Sequence, residues 1–313
     1  MRSLEDAVIE QIQTAARKGP NSRVRLGIGD DTAVLRPLAG GREILLTTDQ
    51  IVENTHFVMG KHPARALGHK TLTRGLSDIA AMGGSPLCFL VSLSLPESLS
   101  RLWLKQYIYG MFQVSRNHQI PCVGGDVARS EHFGADVTVV GQVPRDTALT
   151  RAGARPGDRL FVSGRLGGSA VGLWRVLSSG RARGAAVERH LFPEARLGLG
   201  RFLREKLKAS AAMDLSDGLS TDLARLARAS KVRAEVDADA VPVFSGASLE
   251  QALHGGEEYE LLFTVRPGKR VPPSVGGVRL SCIGRIVEGR GVRLRTPRGV
   301  APLEPRGFQH FRR

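Results

Sequence analysis

Apolar positions along this 313-residue chain recur with two different periods, and each period predicts its own element. Leu4, Val8, Ile12 and Ala15 form a stripe at helical spacing. Ser3 and Asp6 have capping-box spacing, so Ser3 to Arg17 is expected to be an amphipathic helix. Pro63 opens a second helix whose small and apolar residues continue to about Met82, where Gly83, Gly84 and Pro86 stop it. Leu99 to Asn117, Glu194 to Lys208 and Leu219 to Ala229 read as further helices, with another starting near Ser169. Shorter alternating or continuous apolar runs predict strands at Glu43–Thr48, Leu87–Leu95, Ile120–Val123, Ala135–Val143 and Arg159–Ser163. More follow at Arg233–Val236, Glu260–Val265, Ser281–Ile286 and Val292–Arg295.

Turn formers and charges gather between Pro144 and Gly157, in PRDTALTRAGARPGD, and mark a boundary. Strands and helices mix without strict βαβ alternation, which predicts two α/β or α+β domains, 1–147 and 148–313. No apolar run approaches the roughly 20 residues of a membrane helix. The N-terminus is acidic and amphipathic with no apolar signal region, so neither a membrane nor secretion is expected. Cys88, Cys122 and Cys282 form no CxxC pair, and mostly buried, reduced thiols in a cytoplasmic protein are expected.

The net charge is +15, yet only eight of the 45 basic residues are lysines and the arginines are dispersed. Without a basic stripe, zinc finger or RNP motif, nucleic acid is not an expected partner. Against this basic background five acidic motifs stand out: GDD (Gly29–Asp31), TTD (Thr47–Asp49), SD (Ser77, Asp78), GGD (Gly124–Asp126) and DLSDG (Asp214–Gly218). Carboxylates that cluster repel one another unless a cation lies between them, and hard oxygen ligands suit Mg²⁺, which completes its shell with phosphate. That combination points toward phosphoryl transfer.

Each motif also has a bland reading. GIGDD is equally a tight turn, and TTD a strand end at which the backbone must bend for all three side chains to converge. Asp78 either faces solvent or is buried with a partner. The glycines of GGD either form a turn or let the backbone approach phosphate. Asp214 or Ser216 would cap the following helix, although two aspartates exceed what one cap requires. VSGRLGGSAVG matches neither a Walker nor a Rossmann loop. In HGGEEYEL, Glu257 and Glu258 are surface charges or face a cationic substrate group. No GxSxG elbow occurs, and Cys122 near His118 is a weak nucleophile pairing.

In order and spacing, GIGDDTAVL, TTDQIVENTHF, LSDIAAMGGSPL, VGGDVARS, RAGARPGD, AMDLSDGLSTDL, HGGEEYELLF and GFQHF closely resemble the thiamine-monophosphate kinase family. That family belongs to the aminoimidazole-ribonucleotide synthetase-like superfamily of ATP-dependent enzymes. The resemblance implies two α/β domains, with N-terminal sheets pairing across a homodimer and ATP at that interface. It implies phosphorylation of thiamine monophosphate to thiamine diphosphate, with several Mg²⁺ ions and ATP as co-substrate. Carried over by motif, the metal ligands are Asp30, Thr47, Thr48, Asp49, Asp78, Asp126 and Asp214, with Asp217 serving a further magnesium. Gly125, Arg151 and Ser216 match nucleotide contacts, and His56, Glu257 and Phe308 match contacts to thiamine monophosphate. Ile108 aligns where the family often carries an ATP-holding aromatic, between Tyr107 and Tyr109. A different ATP-dependent synthetase of the superfamily, or a basic nucleic-acid-binding protein, are the alternative readings.

Overall fold

In the computed structural model, residues 24–36, 41–179 and 183–310 are described. The helix expected at 3–17 lies outside them. The first half of the chain folds on a six-stranded sheet with the order β1-β2-β3-β6-β4-β5. Its strands are β1 (Val24–Leu26), β2 (Ala33–Leu35), β3 (Arg42–Val52), β4 (Ser85–Leu95), β5 (Cys122–Arg129) and β6 (Gly134–Pro144). Only the β4–β5 pair is parallel. Alternation decides which face is covered. Leu45, Phe89, Val137 and Val139 point into a core with Leu72, Leu76 and Ile79 of helix α1 (Ala64–Ala81) and Met111 and Val114 of α2 (Arg101–His118). The opposite face carries Thr48, Gln50, Leu90 and Ser92, all exposed.

The two helices cross at bare backbone. A Cβ on Gly68 would lie 1.8 Å from the Tyr107 carbonyl oxygen, and one on Gly110 would lie 1.9 Å from that of Arg65. Ser100 caps α2 by accepting the Trp103 N–H, and Gln119 closes it in the left-handed region.

The second half is built on a sheet ordered β14-β13-β9-β12-β7-β10-β8, with β11 beside β12. These strands are β7 (Arg159–Ser163), β8 (Ala211–Asp214), β9 (Arg233–Asp237), β10 (Leu261–Val265), β11 (Ser274–Val275), β12 (Val278–Val287), β13 (Gly291–Thr296) and β14 (Gly299–Pro302). Strand β10 is buried throughout. Its Leu261, Phe263 and Val265 enter the core shared with the first sheet, while Leu262 enters a second core. That second core holds Leu219, Leu223 and Leu226 of α6 (Leu219–Ser230) and Leu253 of α7 (Leu249–His254). Helices α3 (Gly168–Ser178), α4 (Ala185–Leu191) and α5 (Leu197–Phe202) complete this half. The two halves are therefore joined by one continuous apolar core.

Several expectations change. Strand β3 continues to Val52, paired residue for residue with β6, so Asp49 lies inside a strand rather than at its end. Strand β5 runs through GGD to Arg129, so the glycines form no turn. A Cβ on Gly125 would come within 1.8 Å of the Val91 carbonyl oxygen, so strand pairing alone excludes a side chain there. The helix expected at 194–208 is shorter and passes into a π turn, Leu203–Leu207. Helices α4 and α7 and strands β1, β2, β8 and β14 were not expected. Cys88 and Cys122 are half-buried and Cys282 is exposed, so the thiols are free but not core residues. Among the described residues no helix is long and apolar enough to cross a membrane.

Gly110→Ala will lower stability by about 2–3 kcal/mol, because the methyl group meets fixed backbone rather than a movable side chain. Urea denaturation reads this directly, and an unchanged midpoint would contradict the close helix crossing.

Candidate active site

Helix α1 brings chemistry to the seam between the halves because Lys70, Arg74, Ser77 and Asp78 share one helical face. Lys70 and Ser77 are buried, as are Thr71 and Thr73 of the same helix. From β3, strand alternation points Thr47 and Asp49 toward the same seam. It turns Thr48 to the exposed opposite face, where it accepts a 3.3 Å hydrogen bond from Thr138. The backbone bend needed to converge all three TTD side chains does not occur.

The GDD turn is tied to the start of the second half. Asp30 accepts the Arg151 N–H at 3.0 Å, and Asp31 Oδ1 accepts from the Arg151 guanidinium at 2.7 Å. From the end of β8, Asp214 Oδ2 accepts the Ser77 hydroxyl at 2.6 Å. The Thr47 hydroxyl donates to Asp78 Oδ2. One oxygen from each of Asp31, Asp78 and Asp214 then lies within 4.8 Å of the others. Asp31 was not among the ligands carried over by motif, although its adjacency to Asp30 in GDD was visible.

Burial, reinforced by Asp49, Asp214 and Asp31, pushes the Asp78 carboxyl well above the usual range. Burial followed by Asp31 does the same to Asp214. Asp30 is raised to about 7, by burial and then by Asp31. Asp31 Oδ2 and Asp49 Oδ2 are buried without a hydrogen-bond partner. Bare carboxylate oxygens beside three carboxylates this close fit a hard divalent cation, which would satisfy them and reverse the repulsion.

Asp78 and Asp214 of this cluster, with Asp49, line a cavity of about 770 Å³ to which both halves contribute. An aromatic group of His56, Trp174, Phe308 and His310 lines the same cavity. The His56 and His310 rings are 5.2 Å apart, those of His56 and Phe308 6.2 Å, and Trp174 is 67% exposed. His56 Nδ1 accepts the Val52 N–H at 3.0 Å, which assigns the ring proton to Nε2. Burial, with Arg74 and His310 nearby, holds the His56 pKa down to about 4, so the ring is neutral. Trp174 carried no motif signal, and His310, although inside GFQHF, was not singled out. Their place in the cavity lining reveals them.

The HGGEEYEL turn straps this cavity. Glu257 and Tyr259 adopt left-handed backbone at φ 60° and 51°. Their N–H groups donate to the carbonyls of Ser216 and Leu215 at 2.6 and 2.9 Å. Neither glutamate is a surface charge. Glu258 accepts the N–H groups of Gly167 and Ser169 at 2.8 and 3.0 Å, holding the start of α3. Glu257 accepts from the buried Lys70 Nζ at 3.1 Å and lies 3.6 Å from His190 Nδ1. Burial alone would raise Glu257, but Lys70, His190 and Arg74 hold it down to about 2. Its immediate cation is thus internal.

In DLSDG neither Asp214 nor Ser216 caps α6. Asp222, inside that helix, reaches back to accept the N–H groups of Asp217 and Gly218, both at 3.0 Å. Asp217 pairs with Arg225 and lines the cavity outside the three-carboxylate cluster. Gly125 and Asp126 stand exposed on the edge strand β5 and are not brought to the cavity within this chain.

With this geometry in place, the comparisons with known proteins are specific. Residues 29–143 match the model of AIR synthase related protein, N-terminal domain, and 155–296 that of the C-terminal domain. The thiamine-monophosphate kinase of Aquifex aeolicus is 36% identical over 298 residues, covering 91% of this chain and 92% of that protein. That of Bacillus subtilis is 33% identical over 317 residues, covering 93% and 95%. The solved structure of AaThiL complexed with AMPPCP and TMP superposes with a TM-score of 0.87 at 33% identity, covering 99% of both chains.

Burial, then Lys70, lowers the His190 pKa to about 3, from an ordinary 6.5. The unfolded chain therefore takes up a proton below about pH 6.5 that the folded chain refuses, so stability falls as pH drops. This residue contributes a slope of about 1.4 kcal/mol per pH unit between those limits. His190→Leu should flatten the pH-stability profile between 6 and 4. An unaltered profile would show that the ring is protonated in the fold.

Proposed function

The chain belongs to the thiamine-monophosphate kinase family and phosphorylates thiamine monophosphate from ATP, and we propose that transfer is direct and in line, within the seam cavity. The observation that carries this reading is one cavity lined both by members of a buried carboxylate cluster and by a largely exposed aromatic group. Such a cavity suits a molecule with polyphosphate at one end and a cationic ring at the other. We assign Mg²⁺ to Asp31, Asp78 and Asp214, with Asp30, Thr47 and Asp49 adjoining, and a further ion to Asp217. When bound, Mg²⁺ screens the two polyanions and draws charge from the transferring group.

The chain's own residues do the rest. The acceptor phosphate oxygen is anionic at neutral pH and attacks the γ-phosphorus as the bond to the ADP oxygen breaks, so no strong general base is required. Thr47 and Ser77, donating to Asp78 and Asp214, fix which carboxylate oxygens remain free for metal. Arg151 clamps the GDD turn, and Ser216 lines the cavity beside the DLSDG loop. We assign both to the nucleotide side. Neutral His56 adds no charge against the thiazolium ring, and the faces of Phe308 and Trp174 favour a cation. Glu257, neutralised by Lys70, shapes that end of the pocket.

We further infer that the protein is a homodimer. Strand β5 is an edge strand whose Val123 and Val127 are 58% and 65% exposed. An exposed apolar edge is a pairing surface, and a second copy would cover it. On this reading Gly125, Asp126 and Thr48 serve the nucleotide and its metals from the interface side. We place the domain boundary at 147/148 and the reaction in the cytoplasm, where free thiols persist.

With Mg²⁺, ATP and thiamine monophosphate, the protein should yield thiamine diphosphate and ADP. Asp214→Asn should lower kcat by about a hundredfold or more, the scale of losing a metal-based charge stabilisation. Absence of thiamine diphosphate beside a working control enzyme would overturn the assignment. A trapped phosphoenzyme would overturn direct transfer.

A further inference from the structure

Among the described residues, Arg74 is the one on the seam-facing side of α1 with a polar atom left without a close partner. Lys70 has Glu257 at 3.1 Å, Ser77 has Asp214 at 2.6 Å, and Asp78 has Thr47. Among the described residues Arg74 forms an ion pair with Asp49 at 3.6 Å, beyond hydrogen-bond length, and its Nε is buried with no hydrogen-bond partner. The side chain is 16% exposed, and that exposure is to the cavity it lines. A guanidinium cannot shed its charge, so burying its Nε with no acceptor is unfavourable unless a ligand completes the shell.

Its position specifies the ligand. After burial, Arg74 feels Tyr259 first, then Asp49 of the carboxylate-cluster side, Glu257 and Asp217, and it acts electrostatically on His56 beside the aromatic group. It therefore stands between the part of the cavity suited to metal and polyphosphate and the part suited to an aromatic cation. A cation held at the carboxylate cluster would repel Arg74, and an anion between the two relieves that repulsion. A phosphate monoester there meets both needs, because its oxygens match the guanidinium fork in pairs.

Resting on the function proposed above, we propose that Arg74 binds the acceptor phosphate of thiamine monophosphate and distinguishes this substrate from unphosphorylated thiamine. Arg74 holds two oxygens of that phosphate and leaves the third to attack the γ-phosphorus. The β,γ-bridging oxygen departs with ADP, and the guanidinium keeps its protons throughout.

The test compares two ligands and two variants in the presence of Mg²⁺ and a non-hydrolysable ATP analogue. Arg74→Gln should raise the dissociation constant for thiamine monophosphate about 10- to 100-fold and leave that for thiamine within about twofold. In turnover, KM for thiamine monophosphate should rise while KM for ATP holds. Equal weakening of both ligands, or unchanged affinity for the monophosphate, would overturn the proposal. If Arg74→Gln does not fold, Arg74→Lys keeps the charge but loses the fork. A tenfold rise in that KM is expected from it on the same grounds, and an unchanged KM would count against Arg74. If the wild-type protein makes no thiamine diphosphate, the reading of function fails. Turnover by wild type with an indifferent Arg74→Gln defeats only the role of the arginine.

Discussion

Three carboxylates forced within 4.8 Å of one another, where two sheets meet, set the terms for the surrounding structure. Like charges at that distance repel strongly, more so away from bulk water. Each carboxylate is accordingly braced by a different element. Arg151 grips Asp31, Thr47 of β3 grips Asp78, and Ser77 of α1 grips Asp214. The braces come from both halves of the chain, so the cluster exists only when the halves are docked. A cation that relieves the repulsion must also strengthen that docking.

Two further features keep the seam rigid. The apolar core under β10 is continuous with the core beneath the first sheet. Glu260, fully buried, is gripped by both Arg189 and Arg196, and Glu257 reaches across to Lys70. Buried ion pairs add little net stability, but removing one partner strands the other charge, so they fix geometry. The cavity is thereby held at a fixed width. That suits a reaction which must align two phosphates rather than generate a strong nucleophile.

How much of this was legible in the sequence depends on the kind of signal. Strands such as Arg159–Ser163 and helices such as Leu219–Ser230 announced themselves by apolar period and bounding turn residues. Strand β8, four buried residues reading AAMD, has no alternation to detect, because both of its faces are covered. The acidic motifs marked the site, yet their internal geometry was not readable. Strand alternation sends Thr48 away from Thr47 and Asp49, and pairing with β6 keeps β3 from bending. Asp31 was overlooked beside Asp30 because adjacency in a turn does not reveal which carboxylate faces inward. Arg74 and Trp174 belong to no motif; only the packing of α1 and α3 around the cavity brings them there.

The central claim is that the carboxylate cluster opposes folding until a divalent cation joins it. Thermal unfolding of the wild type and Asp78→Asn, in chelator and in Mg²⁺, tests it most directly. In chelator the variant should melt about 2–4 °C higher, corresponding to roughly 1 kcal/mol of relieved repulsion. Mg²⁺ should raise the melting temperature of the wild type and leave the variant nearly unmoved. A variant that melts lower in chelator, or that gains as much from Mg²⁺ as the wild type does, would contradict the account.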